Sequence, residues 1–265
     1  LSAMLAGLLV VVLGVYFLLN GEKPFSSQNF SILLSIAGLF WIFAAIVYAL
    51  IKEFEGETDG GGNAFKVAIS KLGILKTDKP FRLFVITRAL FLCSVLSAPF
   101  FVIIAQQNSE SNSYLLGLFI LSSGLADLLS ANFWGKFSDI SSKKVMIIGA
   151  TIATSVGFVV VFIDFFYDEL FSIIWIMPII YFILSIGYQG IRIGRKTYIV
   201  DLAQGNKRTD YVAVSNTLIG FILLLSGLIG TLSSLIGVSG IILLLSIIGV
   251  IAIYLANKLP EVQED

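Results

Sequence analysis

Eight runs of mostly apolar residues, each about twenty residues long, constrain the fold of this chain more than any other feature. A bilayer core about 30 Å thick is crossed by a helix of about 20 apolar residues, so each run predicts a transmembrane span. The eight predicted spans are residues 1–20, 30–51, 81–105, 114–134, 145–163, 170–194, 212–235 and 238–256. Hydrophobic residues make up 57% of the chain and charged residues 13%, against about 45–50% and about 25% in soluble domains. The sequence therefore excludes a water-soluble globular protein and predicts an all-α, multi-pass membrane helix bundle.

The basic residues predict how these spans are oriented. Fifteen of the seventeen Lys and Arg residues lie in the connections 52–82, 135–144 and 192–211 or at Lys258. Cytoplasmic loops carry the excess of Lys and Arg in membrane proteins. We therefore expect an integral protein of the cell (inner or plasma) membrane with these connections and both termini in the cytoplasm.

Two prolines lie inside predicted spans, Pro99 in the third and Pro178 in the sixth. A proline removes one helical hydrogen bond, but neighbouring helices can satisfy the freed carbonyl inside a membrane. We expect both residues to kink their helices rather than end them.

Several kinds of chemistry are missing from the composition. The chain has no histidine and one cysteine, Cys93, which excludes imidazole ligands, an intramolecular disulfide and cysteine-built metal sites. The glycine run Gly60–Gly62 lacks the lysine that follows in a phosphate-binding loop. We expect no metal, no cofactor, no nucleic-acid partner and no enzymatic activity, and an ion gradient rather than ATP as the energy source.

The polar connection 52–80 separates the first two predicted spans from the other six. It begins with an acidic, glycine-rich stretch that is typical of a flexible linker. After Asn63, a suitable helix N-cap, apolar residues follow at helical spacing among lysines; they are Phe65, Ile69, Leu72 and Leu75. The pattern predicts either a basic amphipathic helix that binds membrane lipid or a plain linker helix.

The loop after the fourth predicted span reads Gly-Lys-Phe-Ser-Asp-Ile-Ser-Ser-Lys-Lys from Gly135 to Lys144. It resembles the signature of the major facilitator superfamily, in which a Gly, three residues, Asp-Arg, a spacer, a Gly and two basic residues join the second and third helices of each half. The matching residues are Gly135, Asp139, Lys143 and Lys144. Ile140 stands where the family has Arg, and Ser142 where it has Gly.

A second stretch is similar to the same family's connection between the fourth and fifth helices of a half. It contains Arg192, Arg195, Asp201, Arg208 and Asn216. The resemblance implies that the spans are helices five to twelve of a twelve-helix transporter whose N-terminal part is missing here. Residues 1–51 then end the N-terminal half, 52–80 form the cytoplasmic central loop, 81–258 form the C-terminal six-helix half, and 259–265 form a cytoplasmic tail.

Arg88 and Asp127 are the clearest charged residues inside predicted spans, away from the span ends. A charge at membrane depth costs about 2.5–3.5 kcal/mol on insertion scales, so it requires a partner or a water-filled cavity. The two residues lie at similar distances from the cytoplasmic ends of adjacent antiparallel spans, which predicts that they pair. Such a pair is either a fixed structural ion bridge or a substrate- or proton-coupling site.

The remaining candidate residues fall into two groups. Uncharged polar residues that the family's helices ten and eleven would present to a central cavity are Tyr181, Tyr188, Gln189 and Asn216. Residues expected to form a cytoplasmic gate through the resembling motifs are Gly135, Asp139, Lys143, Lys144, Arg192 and Arg195. Either group also has a plain structural interpretation, as interhelical hydrogen bonds or as charges that set topology.

The resemblance implies a secondary active transporter that moves a small organic solute by alternating access with proton coupling, and leaves uptake and efflux both open. One Asp, one Arg and several aromatic residues fit an amphipathic solute better than a strongly anionic one. Two alternatives stay open: a non-transporting membrane protein with a degenerate facilitator fold, serving as a receptor, assembly or structural component, and a membrane-embedded enzyme.

Overall fold

A computed structural model describes residues 71–108, 115–203 and 207–263, together with helical positions scattered between residues 12 and 50. Apart from those scattered positions, the predicted spans 1–20 and 30–51 fall outside the described residues, as does most of the connection 52–80.

The described chain is helical, and none of it forms a strand. Its α-helices are α1 (Ile74–Thr77), α2 (Lys79–Leu90), α3 (Leu92–Asn108), α4 (Leu115–Phe166), α5 (Ile176–Leu202), α6 (Lys207–Leu225) and α7 (Gly227–Asn257), with a 3₁₀ helix at Asp168–Ser172. With α2 and α3 taken together, five of these helices are long and apolar enough to cross a membrane. The prediction of an all-helical, membrane-embedded bundle is confirmed at this level.

Helix α4 contains a break where the sequence predicts a loop. Its 52 residues would extend for about 78 Å as a straight helix, more than twice the thickness of a bilayer core. Ser141 interrupts it with extended backbone angles, φ −158° and ψ 99°. We call residues 115–140 and 142–166 the first and second segments of α4; they cover the predicted spans 114–134 and 145–163.

Contacts with α5 show that the two segments of α4 run in opposite directions. Along the first segment, Phe119 packs on Tyr181, and Trp134 donates from Nε1 to the carbonyl of Ile186 at 3.0 Å. Both numbers rise together, so this segment is parallel to α5. Along the second segment, Ala153 lies beside Gly187 and Met146 beside Gly194. There the residue numbers of α4 fall as those of α5 rise, so this segment is antiparallel to α5. Helix α4 is therefore a helical hairpin that turns at Ser141.

Helix α7 is divided in the same way at Gly237. This residue has φ +77°, a left-handed conformation that glycine adopts without steric cost. Before it, the backbone N–H of Ser226 bonds to the carbonyl of Ile222 at 3.0 Å, so α6 continues into the first part of α7. After it, residues 238–257 pack antiparallel to the second segment of α4.

Glycines at helix crossings allow the backbones to approach closely. A Cβ built on Gly149 would lie 2.6 Å from the carbonyl oxygen of Gly187, and one on Gly187 would lie 2.7 Å from the carbonyl oxygen of Gly149. Small residues serve this purpose between membrane helices, where the hydrophobic effect does not drive helix association. Outward-facing apolar side chains such as Phe165 and Leu224, 80% and 81% exposed, suit contact with lipid.

The loops rich in Lys and Arg meet at one end of the bundle. Asp78 caps α2 by accepting from the Phe81 backbone N–H at 2.9 Å, and its other oxygen accepts from the Tyr211 hydroxyl. Lys71 pairs with Asp210 at 2.8 Å. Phe81 and Tyr211 also stack, with ring centroids 4.1 Å apart. The starts of α2 and α6 are thereby joined; we call this the basic end.

The sixth predicted span differs from the structure at both ends. Residues 168–172 form the separate 3₁₀ helix, so the long helix begins at Ile176, and it continues to Leu202 rather than stopping at 194. Pro178 therefore lies in the first turn of α5, where its missing N–H has no helical partner to lose, and the expectation that it kinks a helix is wrong. Pro99 does lie within α3.

The predicted cytoplasmic tail 259–265 is packed over its described part, residues 259–263. Leu259 is 2% exposed and belongs to the apolar core. The hydroxyl of Tyr198, at the basic end of α5, donates to the carbonyl of Pro260 at 2.9 Å. The buried leucine and this hydrogen bond hold the segment against the bundle.

Candidate functional site

A cavity of about 230 Å³ lies between α3, the first segment of α4 and α5. Its lining combines small, hydroxyl-bearing, aromatic and acidic side chains, contributed by Ser94, Val95, Ala98, Ser123, Asp127, Tyr181, Leu184, Ser185 and Tyr188. Tyr181 is held in place by an edge-to-face contact with Phe119, with ring centroids 4.8 Å apart. The cavity therefore brings together three of the predicted site residues: Asp127, Tyr181 and Tyr188.

Asp127 is ion-paired in this cavity, but its partner is Arg192. The Nη2 group of Arg192 donates to Oδ2 of Asp127 at 3.1 Å, and both side chains are a little over one-third exposed. The prediction that Asp127 pairs with Arg88 is wrong. The prediction that Arg192 belongs to a gate with Asp139 also differs from the structure, which directs this side chain toward the cavity.

The level of the helices explains why Arg88 is not the partner. Ser94 and Ala98 of α3 line the cavity together with Asp127 and Ser123 of α4, so these pairs lie at matching depth. Arg88 is six residues before Ser94, which is about 9 Å closer to the basic end at 1.5 Å per residue. Arg192 can reach Asp127 because it extends from α5, which packs along the first segment of α4.

Arg88 instead binds two neutral side chains of α6. Its Nη1 donates to Ser215 Oγ at 2.5 Å and its Nη2 donates to Asn216 Oδ1 at 2.8 Å. Its Nε is buried and has no hydrogen-bond partner among the described residues. Asn216, predicted to line a cavity, thus acts together with Arg88. Phe84, one turn before Arg88, stacks on Tyr198, one turn after Arg195, with ring centroids 5.2 Å apart, so the two arginines lie at a similar level on neighbouring helices.

One face of α5 carries most of these groups. Tyr181, Ser185, Tyr188, Arg192 and Arg195 follow each other at intervals of three or four residues, which places them in one stripe along a helix. The stripe starts in the cavity and continues toward the basic end. Sequence reasoning assigned its tyrosines and arginines to different groups, although their helical spacing was the signal that joins them.

Gln189 lies outside this stripe and outside the cavity lining. Its side chain is 5% exposed, and its Oε1 has no hydrogen-bond partner among the described residues. The structure places it in the helix packing beside Gly190, and it gives no contact between Gln189 and the cavity.

The loop that resembles the facilitator signature forms the helix break at Ser141. Ser141 is the N-cap of the second segment of α4, because its Oγ accepts from the Lys144 backbone N–H at 3.2 Å. Gly135 has open space around it. Asp139 is exposed, and neither it nor Lys143 forms an ion pair with the described residues. The motif residues are therefore near one another in the chain, but the structure gives them no mutual gate contacts.

The polar partners of this loop come from the C-terminal segment, which sequence reasoning missed. Gln263 Oε1 accepts from the backbone N–H and the hydroxyl of Ser142, each at 3.0 Å, and its Nε2 donates to Asp201 Oδ2 at 2.7 Å. Glu261 Oε2 accepts from the Ser141 hydroxyl at 3.0 Å. We call residues 259–263 the C-terminal clasp. It joins the turn of α4 to the end of α5.

Comparison of the chain with protein-family models, with curated proteins and with solved structures finds no match. The functional argument therefore rests on the residues themselves and on the geometry of the cavity.

Proposed function

We propose that this chain is part of a secondary active transporter of the major facilitator type, which moves a small amphipathic solute across the cell membrane and couples it to protons. The observation that carries the proposal is a carboxylate at membrane depth in a cavity. Asp127 lies twelve residues after Leu115 and fourteen before Ser141. It is therefore near the middle of its helical segment, the level at which secondary transporters bind substrates and coupling ions.

The pair of Asp127 and Arg192 supplies a coupling step. While the carboxylate is ionised, it attracts the guanidinium at 3.1 Å and holds α4 to α5. Protonation of Asp127 removes this attraction and frees Arg192 to move or to bind another group. Because the pair borders the cavity, its state would depend on whether solute and protons enter from one side of the membrane or the other.

The proposal also assigns a membrane topology to the bundle and a role to the loops at its basic end. In it, residues 79–257 supply six crossings, with turns at Ser141 and Gly237, and the loops rich in Lys and Arg face the cytoplasm. The loop Gly135–Lys144, which resembles the facilitator signature, would then lie at the cytoplasmic end of the α4 hairpin. Its charges would there control contacts between the two six-helix halves of the transporter. Neither direction of transport is favoured by the cavity.

The test is solute-driven proton flux in proteoliposomes that contain the chain and an internal pH-sensitive dye. Three aromatic probes of different charge are added in turn: ethidium as a cation, 2-naphthalenesulfonate as an anion and 2-naphthalenesulfonamide as a neutral molecule. We expect at least one probe to move protons with the wild-type chain. We expect the flux to be lost with Asp127→Asn and retained with Asp168→Asn, which removes an exposed carboxylate at the other end of the bundle.

Gel filtration and helical circular dichroism check that both variants are folded. Normal proton flux through a folded Asp127→Asn variant would refute the coupling role. No flux with any probe, in either orientation of the gradient, would favour the non-transporting alternative.

A further inference from the structure

Positive charge exceeds negative charge on the polar face that leads from the cavity to the basic end. Arg88 of α2 and Arg192 and Arg195 of α5 lie on this face, whereas Asp127 is the charged residue among the side chains that line the cavity. The described residues contain two ion pairs, Lys71–Asp210 and Arg192–Asp127. Arg192 thus neutralises Asp127, and Arg88 and Arg195 have no carboxylate partner among the described residues.

The hydrogen bonds of Arg88 leave its charge uncompensated. Its terminal nitrogens bind the neutral oxygens of Ser215 and Asn216, and its buried Nε has no partner. A guanidinium offers five N–H donors and suits the oxygens of carboxylate, sulfonate or phosphate groups. Two like charges near each other in apolar surroundings repel, so an anion bound between or beside Arg88 and Arg195 would lower the energy of the pair.

The position of the arginines relative to the cavity identifies what kind of molecule fits. The stripe on α5 runs from Tyr181 and Tyr188 in the cavity to Arg192 and Arg195 at its basic end. Aromatic and apolar walls bind the body of an organic solute, while a few placed polar groups fix its orientation. We propose that Arg88 and Arg195 bind the oxyanion of a singly charged, amphipathic organic anion whose apolar body occupies the cavity near Tyr181 and Tyr188.

This inference rests on the proposed transport function, for which it names the substrate class. It goes beyond the expectation from the sequence, because the sequence assigned Arg192 and Arg195 to a cytoplasmic gate, whereas in the structure they continue the stripe of cavity tyrosines along α5. The phosphate of an anionic lipid offers the same oxyanion chemistry, and basic pockets between membrane helices bind such head groups. The experiment therefore separates a water-soluble anion from a lipid.

The test is equilibrium dialysis of the purified chain in phosphatidylcholine vesicles at 0.15 M salt, with no ion gradient. Radiolabelled 2-naphthalenesulfonate is the probe, 2-naphthalenesulfonamide is its neutral counterpart, and vesicles without protein give the background. We expect the anion to bind more tightly than the sulfonamide. A hydrogen bond to a charged group is worth about 1.5–3 kcal/mol, so Arg88→Gln and Arg195→Gln should each weaken binding of the anion by about tenfold or more.

Arg82→Gln is the matched control, because Arg82 is an exposed arginine on the same helix as Arg88. It should leave binding unchanged. Arg88→Lys keeps the charge and should retain part of the affinity, which separates loss of binding from loss of folding.

Equal binding of the sulfonate and the sulfonamide, or unchanged affinity in both glutamine variants, would overturn the proposal. Loss of sulfonate binding when the vesicles contain phosphatidylglycerol would assign the arginines to a lipid head group and overturn their assignment to the substrate. A chain that binds the sulfonate through these arginines but drives no proton flux with any probe would leave the site standing and refute transport.

Discussion

The close crossing of α4 and α5 gives the sharpest quantitative prediction, for the substitution Gly187→Ala. The added Cβ would lie 2.7 Å from the Gly149 carbonyl oxygen and 2.9 Å from the Ala153 backbone nitrogen. Both are backbone atoms of the second segment of α4, so no side-chain rotation relieves the overlap. The two helices have to move apart by about half an ångström to restore ordinary contact, and overpacking of this kind costs about 1–3 kcal/mol.

One smaller effect opposes the cost of the overlap, because alanine favours a helix over glycine by up to about 1 kcal/mol. We therefore expect Gly187→Ala to lower the free energy of unfolding by up to about 2 kcal/mol relative to the wild type, and by about 1–3 kcal/mol relative to an Ala variant at a glycine with open space around it. Gly220→Ala is the control, because a Cβ on Gly220 meets nothing within 4 Å; it should be neutral or slightly stabilising.

The assay is titration of the chain with sodium dodecyl sulfate in mixed micelles, with helical circular dichroism as the signal. The double variant with Gly149→Ala should cost less than the sum of the two single variants, because both single changes push apart the same contact. A Gly187→Ala protein as stable as Gly220→Ala would refute the inference that this glycine is required by close backbone packing.

Two further predictions concern the basic end and its side of the membrane. Gln263→Ala should lower the free energy of unfolding by roughly 1–3 kcal/mol in the same titration, because the turn of α4 loses its amide partner; exposed Gln106→Ala is the control, and equal stability of the two would contradict the role of the C-terminal clasp. In intact cells that produce the chain without its native cysteine, an impermeant maleimide should label Asp168→Cys and should reach Lys144→Cys only after permeabilisation. The opposite labelling would reverse the predicted orientation.

Among the described residues, the sequence predicted the helix breaks at Ser141 and Gly237 because such breaks depend on local composition. The apolar runs on either side of residues 135–144 and of 236–238 are separated by polar or glycine residues, and the structure breaks its helices at Ser141 and Gly237. A hydropathy profile locates these two helix breaks because a membrane-spanning segment ends where charged or turn-forming residues begin.

The partner of Asp127 could not be predicted in the same way. The choice between Arg88 and Arg192 depends on the relative shift of α3 and α4 and on which helix lies beside the carboxylate. The close approach of α5 to α4 depends on packing at glycines such as Gly187 and Gly190. The packing of Leu259 and Gln263 against the bundle could not be predicted from the sequence either, because a segment of seven mostly polar residues has no hydrophobic periodicity.

The C-terminal clasp has a consequence for the order in which the protein is made. Ser141 and Glu261, which it joins, are 120 residues apart in the chain. At about 5–20 residues per second, a ribosome produces Glu261 roughly 6–24 s after Ser141. During that interval the turn of α4 lacks the carboxylate and amide partners that the C-terminal clasp supplies. The hairpin of α4 is therefore inserted with its end open, and it is closed in a late step, after α7 has left the ribosome.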